Sequence, residues 1–174
     1  MSENYIDINE EVEQNPKRPV FLTVLCVLSF ITLGFGMLSL VFSLMMGQPS
    51  TEEIESVSNQ YIQTASTMRD QNALWAADLM EKMADLTILQ NDHFMVVQLI
   101  NTIMILTGFI GVLFMFRGRR LGFHFYIIYN LLSIGGVYLI APFNMVPNII
   151  LIMGLIFSGL FIFLYSRNLK WMTK

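Results

Sequence analysis

The residues best suited to chemistry in this sequence are two histidines, one cysteine and two asparagines set in long apolar runs. His93 directly follows Asp92. A carboxylate beside an imidazole could titrate near neutral pH or hold a metal weakly. Adjacent residues on a helix do not share a face, however, so His93 reads as a boundary residue rather than a ligand. His124 stands near Arg120, at the start of another apolar run, and is expected to point at lipid headgroups. Placed on opposite sides of a membrane, the two imidazoles cannot share one metal or one haem. Cys26 is the single thiol, which excludes an intrachain disulfide and dithiol redox chemistry. It is expected to serve as a small buried hydrophobe. Asn101 and Asn130 are candidates for intramembrane hydrogen bonding between helices, a contact contributing about 0.6–2 kcal/mol.

Other chemistries are excluded by residue types that are missing. No H-E-x-x-H metalloprotease pair and no G-x-x-x-x-G-K-[ST] phosphate loop is present. No basic patch suggests nucleic acid. The expectation is a non-enzymatic protein with no catalytic residue, metal site or cofactor.

The elements that carry these residues follow from charge spacing. Charged residues make up only 13% of the 174, about half the share usual for soluble domains. No Asp, Glu, Lys or Arg occurs at positions 19–51, 93–116 or 121–166. Roughly 20 apolar residues cross the hydrocarbon core as a helix, so the first two runs hold one span each and the third holds two. The fold class expected is an all-α integral membrane protein with four transmembrane helices. These are placed at 20–46, 93–116, 121–141 and 148–166. The first is too long for a signal-peptide apolar region and lacks an A-x-A-like site, so it reads as an uncleaved anchor. Its Pro19 is expected in the first turn, as is Pro147 in the fourth span. Trp171 and Tyr165 are expected at interfacial depth.

No span contains an Asp, Glu, Lys or Arg, the usual mark of a proton relay or ion path. What the first span does contain is Thr32, Gly36, Ser39, Ser43 and Gly47 at steps of four, three, four and four. This spacing puts them on one stripe, a candidate helix-packing interface where small side chains let another backbone approach. Gly108 with Gly111, and Gly135 with Gly136, read as further close contacts or points of local flexibility.

Between the first two spans, residues 47–92 form an amphipathic helical insertion. Ser50 and Glu53 make a capping box, and apolar residues from Ile54 to Leu86 recur mostly three, four or seven apart. The pattern lapses at Arg69-Asp70-Gln71-Asn72, which predicts a hairpin of two helices rather than one rod. Asn91 or Asp92 is the expected N-cap of the second span. Residues 1–19 form an acidic tail too polar to bury a core, 117–120 a basic turn, 142–147 a short proline-bounded turn, and 167–174 a basic tail.

Orientation follows from Lys and Arg. Eight of the ten lie in the N-terminal flank, the 117–120 turn and the C-terminal tail, against two in the insertion. The positive-inside rule then places both termini in the cytoplasm and the insertion, with eight acids, outside. Residue usage leans towards a bacterial inner membrane. The partners expected are the lipid bilayer and either a membrane or periplasmic protein or a second copy of the chain. Two functions remain open: a subunit or scaffold of a membrane complex, or an oligomeric pore or carrier for an uncharged or zwitterionic solute.

Overall fold

In the computed structural model the residues described are 19–172. Residues 1–18 of the expected acidic tail, and 173–174 of the basic tail, lie outside them. Among the described residues every regular element is helical. Four helices are long and apolar enough to cross a membrane, compatible with a multi-pass membrane protein.

Helix α1 spans Val20–Met46. Pro19 occupies its N-cap, one residue earlier than expected, and its carbonyl accepts the Thr23 N–H at 3.2 Å. A proline before the first turn donates nothing, so no helical hydrogen bond is lost. Gly47 ends the helix at φ 79°, a left-handed value that glycine adopts without steric cost. Three residues later the chain re-enters a helix. Ser50 Oγ accepts from the Glu53 N–H at 3.3 Å, and Glu53 Oε2 accepts from the Ser50 N–H at 2.9 Å. This closed box starts α2, Thr51–Asp70. A turn through Asn72, at φ 59°, reverses the chain into α3, Leu74–Asp92. α2 and α3 pack along their length as a hairpin, with an exposed Arg69–Glu81 ion pair near its tip.

α4 covers Phe94–Phe116, and His93 alone separates it from α3. The structure therefore differs from the N-cap expected at Asn91 or Asp92. Both belong to α3, and His93 forms the joint at φ −105°, ψ 28° with no side-chain cap. The His93 N–H still bonds to Leu89 O, and its carbonyl accepts from Val97 N, so hydrogen bonding passes through the joint without a cap. α5 is Leu121–Gly135, extended by a single 3-10 turn at Gly136–Leu139. Pro147 is the N-cap of α6, Asn148–Ser166, again one position before the first turn.

α1 packs on α4, α4 on α5 and α5 on α6. The tightest approach is α4 against α5. A Cβ on Gly122 would collide with Met115 N and fall 2.5 Å from Gly111 O, and one on Gly111 would fall 2.9 Å from Tyr126 N. Backbone touches backbone here, which only glycine permits. Gly108 is closed off instead by the side chains of Tyr129 and Leu33, whereas Gly135 has open space around it.

The two ends of the bundle are closed differently. At the end bearing the 117–120 turn, Leu22, Leu25, Cys26, Val112, Met115 and Tyr165 form a buried core with Met172. The segment after α6 folds beneath them: Arg120 donates to Met172 O, and Trp171 covers Gly118. At the hairpin end a smaller cluster joins Leu86 of α3 to Ala141 and Val146 of the α5–α6 connection.

Candidate functional site

Between these closed ends lies a cavity of about 530 Å³, walled by α1, α5 and α6 and roofed by α3. Its walls follow from helical spacing. α5 contributes Tyr126, Tyr129, Asn130 and Ser133, at offsets of three, four and seven, so they occupy one face, and the 3-10 turn after it adds Val137. α1 contributes Ser29, Thr32 and Leu33. α6 contributes Ile150, Gly154, Phe157, Ser158 and Phe161, also one face. From α3 come Met83, Leu86, Thr87 and Gln90.

The polar groups are grouped by depth. Ser29 lies nine residues into α1 from Val20, Asn130 nine into α5 from Leu121, and Ser158 eight before the end of α6 at Ser166. At 1.5 Å per residue all three sit about 12–14 Å from the same end of the bundle. In a hydrocarbon core about 30 Å thick that is near the midplane. The floor at this level is held by internal hydrogen bonds. Ser29 Oγ and the Tyr165 hydroxyl are 2.9 Å apart and both residues are buried. The Tyr126 ring packs against Tyr165, centroids 4.7 Å apart, and against Tyr129 at 5.7 Å. Asn130 gives an amide N–H to Tyr126 O at 2.7 Å.

The Tyr129, Ser133 and Ser158 hydroxyls make no side-chain hydrogen bond among the described residues, and neither does Gln90. A hydroxyl facing a low-dielectric cavity without a partner is costly. These groups are therefore the ones available to a ligand. No Asp, Glu, Lys or Arg lines the cavity, so it offers donors and acceptors on an apolar wall without a formal charge. Comparisons with protein-family models, with curated proteins and with solved structures find no match.

The residues singled out by sequence are dispersed. Thr32 faces the cavity and bonds back to Leu28 O at 3.1 Å. Gly36 faces α4, with ordinary contact to Ile105 at 3.6 Å. Ser43 accepts from Gln98 Nε2 at 2.6 Å. Ser39 is exposed, and Gly47 has left the helix. The five therefore meet no single partner within the chain. Asn130 bonds within its own helix rather than across helices, and half-buried Asn101 makes no side-chain hydrogen bond among the described residues. His93 is exposed at the α3–α4 joint, and His124 Nδ1 is 3.2 Å from Arg120 O. No group of His, Cys, Asp and Glu among the described residues could hold a metal.

Tyr165, one residue from the end of α6, is fully buried: its ring reaches inward to Ser29 while the segment after α6 covers it from below. Sequence reasoning also missed the cavity. The signal was present: the third span has a mean hydropathy of 1.2, against 2.2–2.5 for the others. That deficit comes in part from Tyr126, Tyr129, Asn130 and Ser133, whose common face marks a polar stripe on a helix otherwise apolar enough to cross a membrane.

Proposed function

We propose that the protein is a non-enzymatic membrane binding protein or carrier for an uncharged amphiphilic molecule. The observation that carries this reading is the uncharged polar floor at mid-depth of the cavity. Its volume of about 530 Å³ falls within the range of about 300–1,000 Å³ typical of small-molecule sites. Burying an ion at mid-membrane without a counter-charge costs several kcal/mol, and the lining supplies none. This narrows the solute classes open to the sequence from uncharged or zwitterionic to uncharged. The distribution of Lys and Arg supports a bacterial inner-membrane orientation with both termini cytoplasmic and the α2–α3 hairpin outside.

The test is to purify the protein in mild detergent and identify co-purifying small molecules by mass spectrometry. Ser158→Phe should fill the cavity and strip a bound neutral compound, while Leu155→Phe, on an exposed position of the same helix, should retain it. Equal recovery from both variants would refute cavity binding.

The second reading is a subunit or scaffold of a membrane complex. It draws on Ser39, a small polar residue exposed on a span, and on an uncovered α2 face carrying Glu52, Glu55, Asn59 and Gln63. Loss of a co-purifying protein on Ser39→Leu, with the cavity ligand unaffected, would favour it.

A further inference from the structure

We infer that the ligand of this cavity is a neutral lipid already dissolved in the bilayer, and that it enters sideways between α1 and α6. The inference rests on the binding reading above and adds a source and a route.

Three sides of the cavity are covered by packed elements. Below it lies the buried core around Leu25, Met115 and Tyr165, with Met172 tucked underneath. Above it, Leu86 of the hairpin is buried against Ala141 and Val146. The hairpin base is tied as well, since Gln48 Nε2 donates to Asn91 O at 3.0 Å. Behind it, α5 is sealed on α4 by the glycine contact.

The α1–α6 side is different. These helices do not pack along their length. Their contact is at the floor, where Ser29 meets Tyr165. Above that point the rim side chains are exposed: Phe157 by 53% and Ile150 by 46%, with Thr32 facing them from α1. In a span this opening faces acyl chains, not water. A water-borne solute has to pass the roof, where Leu86 is buried and only Gln90 of the lining is exposed, whereas a membrane-dissolved one meets the opening between α1 and α6.

Depth then selects the class. The Ser29–Asn130–Ser158 level lies near the bilayer midplane, so a lipid bound there must bring its polar group to the midplane. A phosphate or ammonium headgroup would be desolvated with no counter-charge. A hydroxyl or carbonyl head on an apolar chain loses far less, and finds the free hydroxyls of Tyr129, Ser133 and Ser158. Diglyceride-like or long-chain alcohol chemistry fits; phospholipid does not.

The experiment uses the full chain in phosphatidylcholine–phosphatidylglycerol vesicles with a diazirine-bearing long-chain alcohol as photoprobe, in the Cys26→Ser background. One variant carries Thr32→Cys and Phe157→Cys across the opening, another Leu86→Cys and Val146→Cys across the roof. Each is closed with a reducible bifunctional thiol linker, and the same sample is remeasured after reduction, so a folding defect is separated from a closed route. Closing the opening should slow cavity labelling at least about tenfold, with recovery on reduction, while closing the roof should change it less than about twofold. Slowing by the roof link alone, by both links or by neither would overturn lateral entry. Competition by excess phosphatidylcholine, but not by a neutral diglyceride, would overturn the ligand class. Absence of probe from cavity peptides in the unlinked protein would refute the binding reading itself.

Discussion

Tyr165 shows how a single hydroxyl can tie two spans together. Its ring is buried in the core and its hydroxyl lies 2.9 Å from Ser29 Oγ, joining α6 to α1 where little else does. Tyr165→Phe keeps the ring packing and removes the bond. It should lower stability by about 1 kcal/mol, read as a lower midpoint of thermal unfolding in detergent. Tyr165→Ala also removes the ring and should cost about 3–5 kcal/mol, the range for deleting a large core aromatic. A Phe variant as damaged as the Ala variant would show that the hydrogen bond carries most of the contact. From sequence alone its burial could not be read. Tyrosine near the end of an apolar run normally marks the headgroup level, and the burial of this one depends on residues after α6 folding back beneath it, which no local pattern encodes.

At the scale of elements, glycine position decides which helices approach closely, and regular spacing alone does not say how closely. The stripe on α1 has the more regular spacing, yet a Cβ on Gly36 would meet Ile105 at an ordinary 3.6 Å. Gly122 belongs to no such stripe of small residues on its helix, yet a Cβ there would collide with a backbone nitrogen of α4. Spacing reports which residues share a face but not how near the neighbouring backbone lies. Gly122→Ala should therefore lower stability by about 1–3 kcal/mol or prevent folding, as overpacking does. Gly36→Ala should be neutral or stabilising by up to about 1 kcal/mol, since Ala favours the helix interior over Gly. Thermal unfolding of both in one detergent checks the pair, and a larger loss at Gly36 would contradict the packing described. The four long apolar helices were legible in the sequence, because a run free of charge is a physical requirement of the bilayer. So was the break in the insertion, which a capping box and a lapse in apolar spacing both marked. The cavity was not legible as a site, because it arises where α1 and α6 fail to pack. Its polar stripe on α5 was visible only as a modest deficit in hydropathy.

For the whole molecule, the two ends differ in charge and in structure, and that difference makes an orientation testable. The end with the 117–120 turn carries Arg117, Arg119, Arg120, Arg167 and Lys170, while the hairpin end carries Arg69 and Lys82, both near acids. The basic end should thus be cytoplasmic and the hairpin outside. Labelling of single cysteines by an impermeant maleimide in intact cells tests this, provided the sites respect the fold. Gly118 is unsuitable: its φ of 76°, and the Trp171 ring only 3.0 Å from where a Cβ would stand, would strain any other residue. Arg119 and Ser66 are both exposed, one at each end, and Cys26 is fully buried, so Cys26→Ser gives a quiet background. Ser66→Cys should react from outside and Arg119→Cys only after the membrane is opened. The reverse pattern would place the hairpin in the cytoplasm and invert the molecule, yet leave the cavity at the same mid-depth with the same lateral opening. Orientation and ligand route are therefore separate claims, and a result against the first would move the roof from one compartment to the other without closing the way in from the lipid.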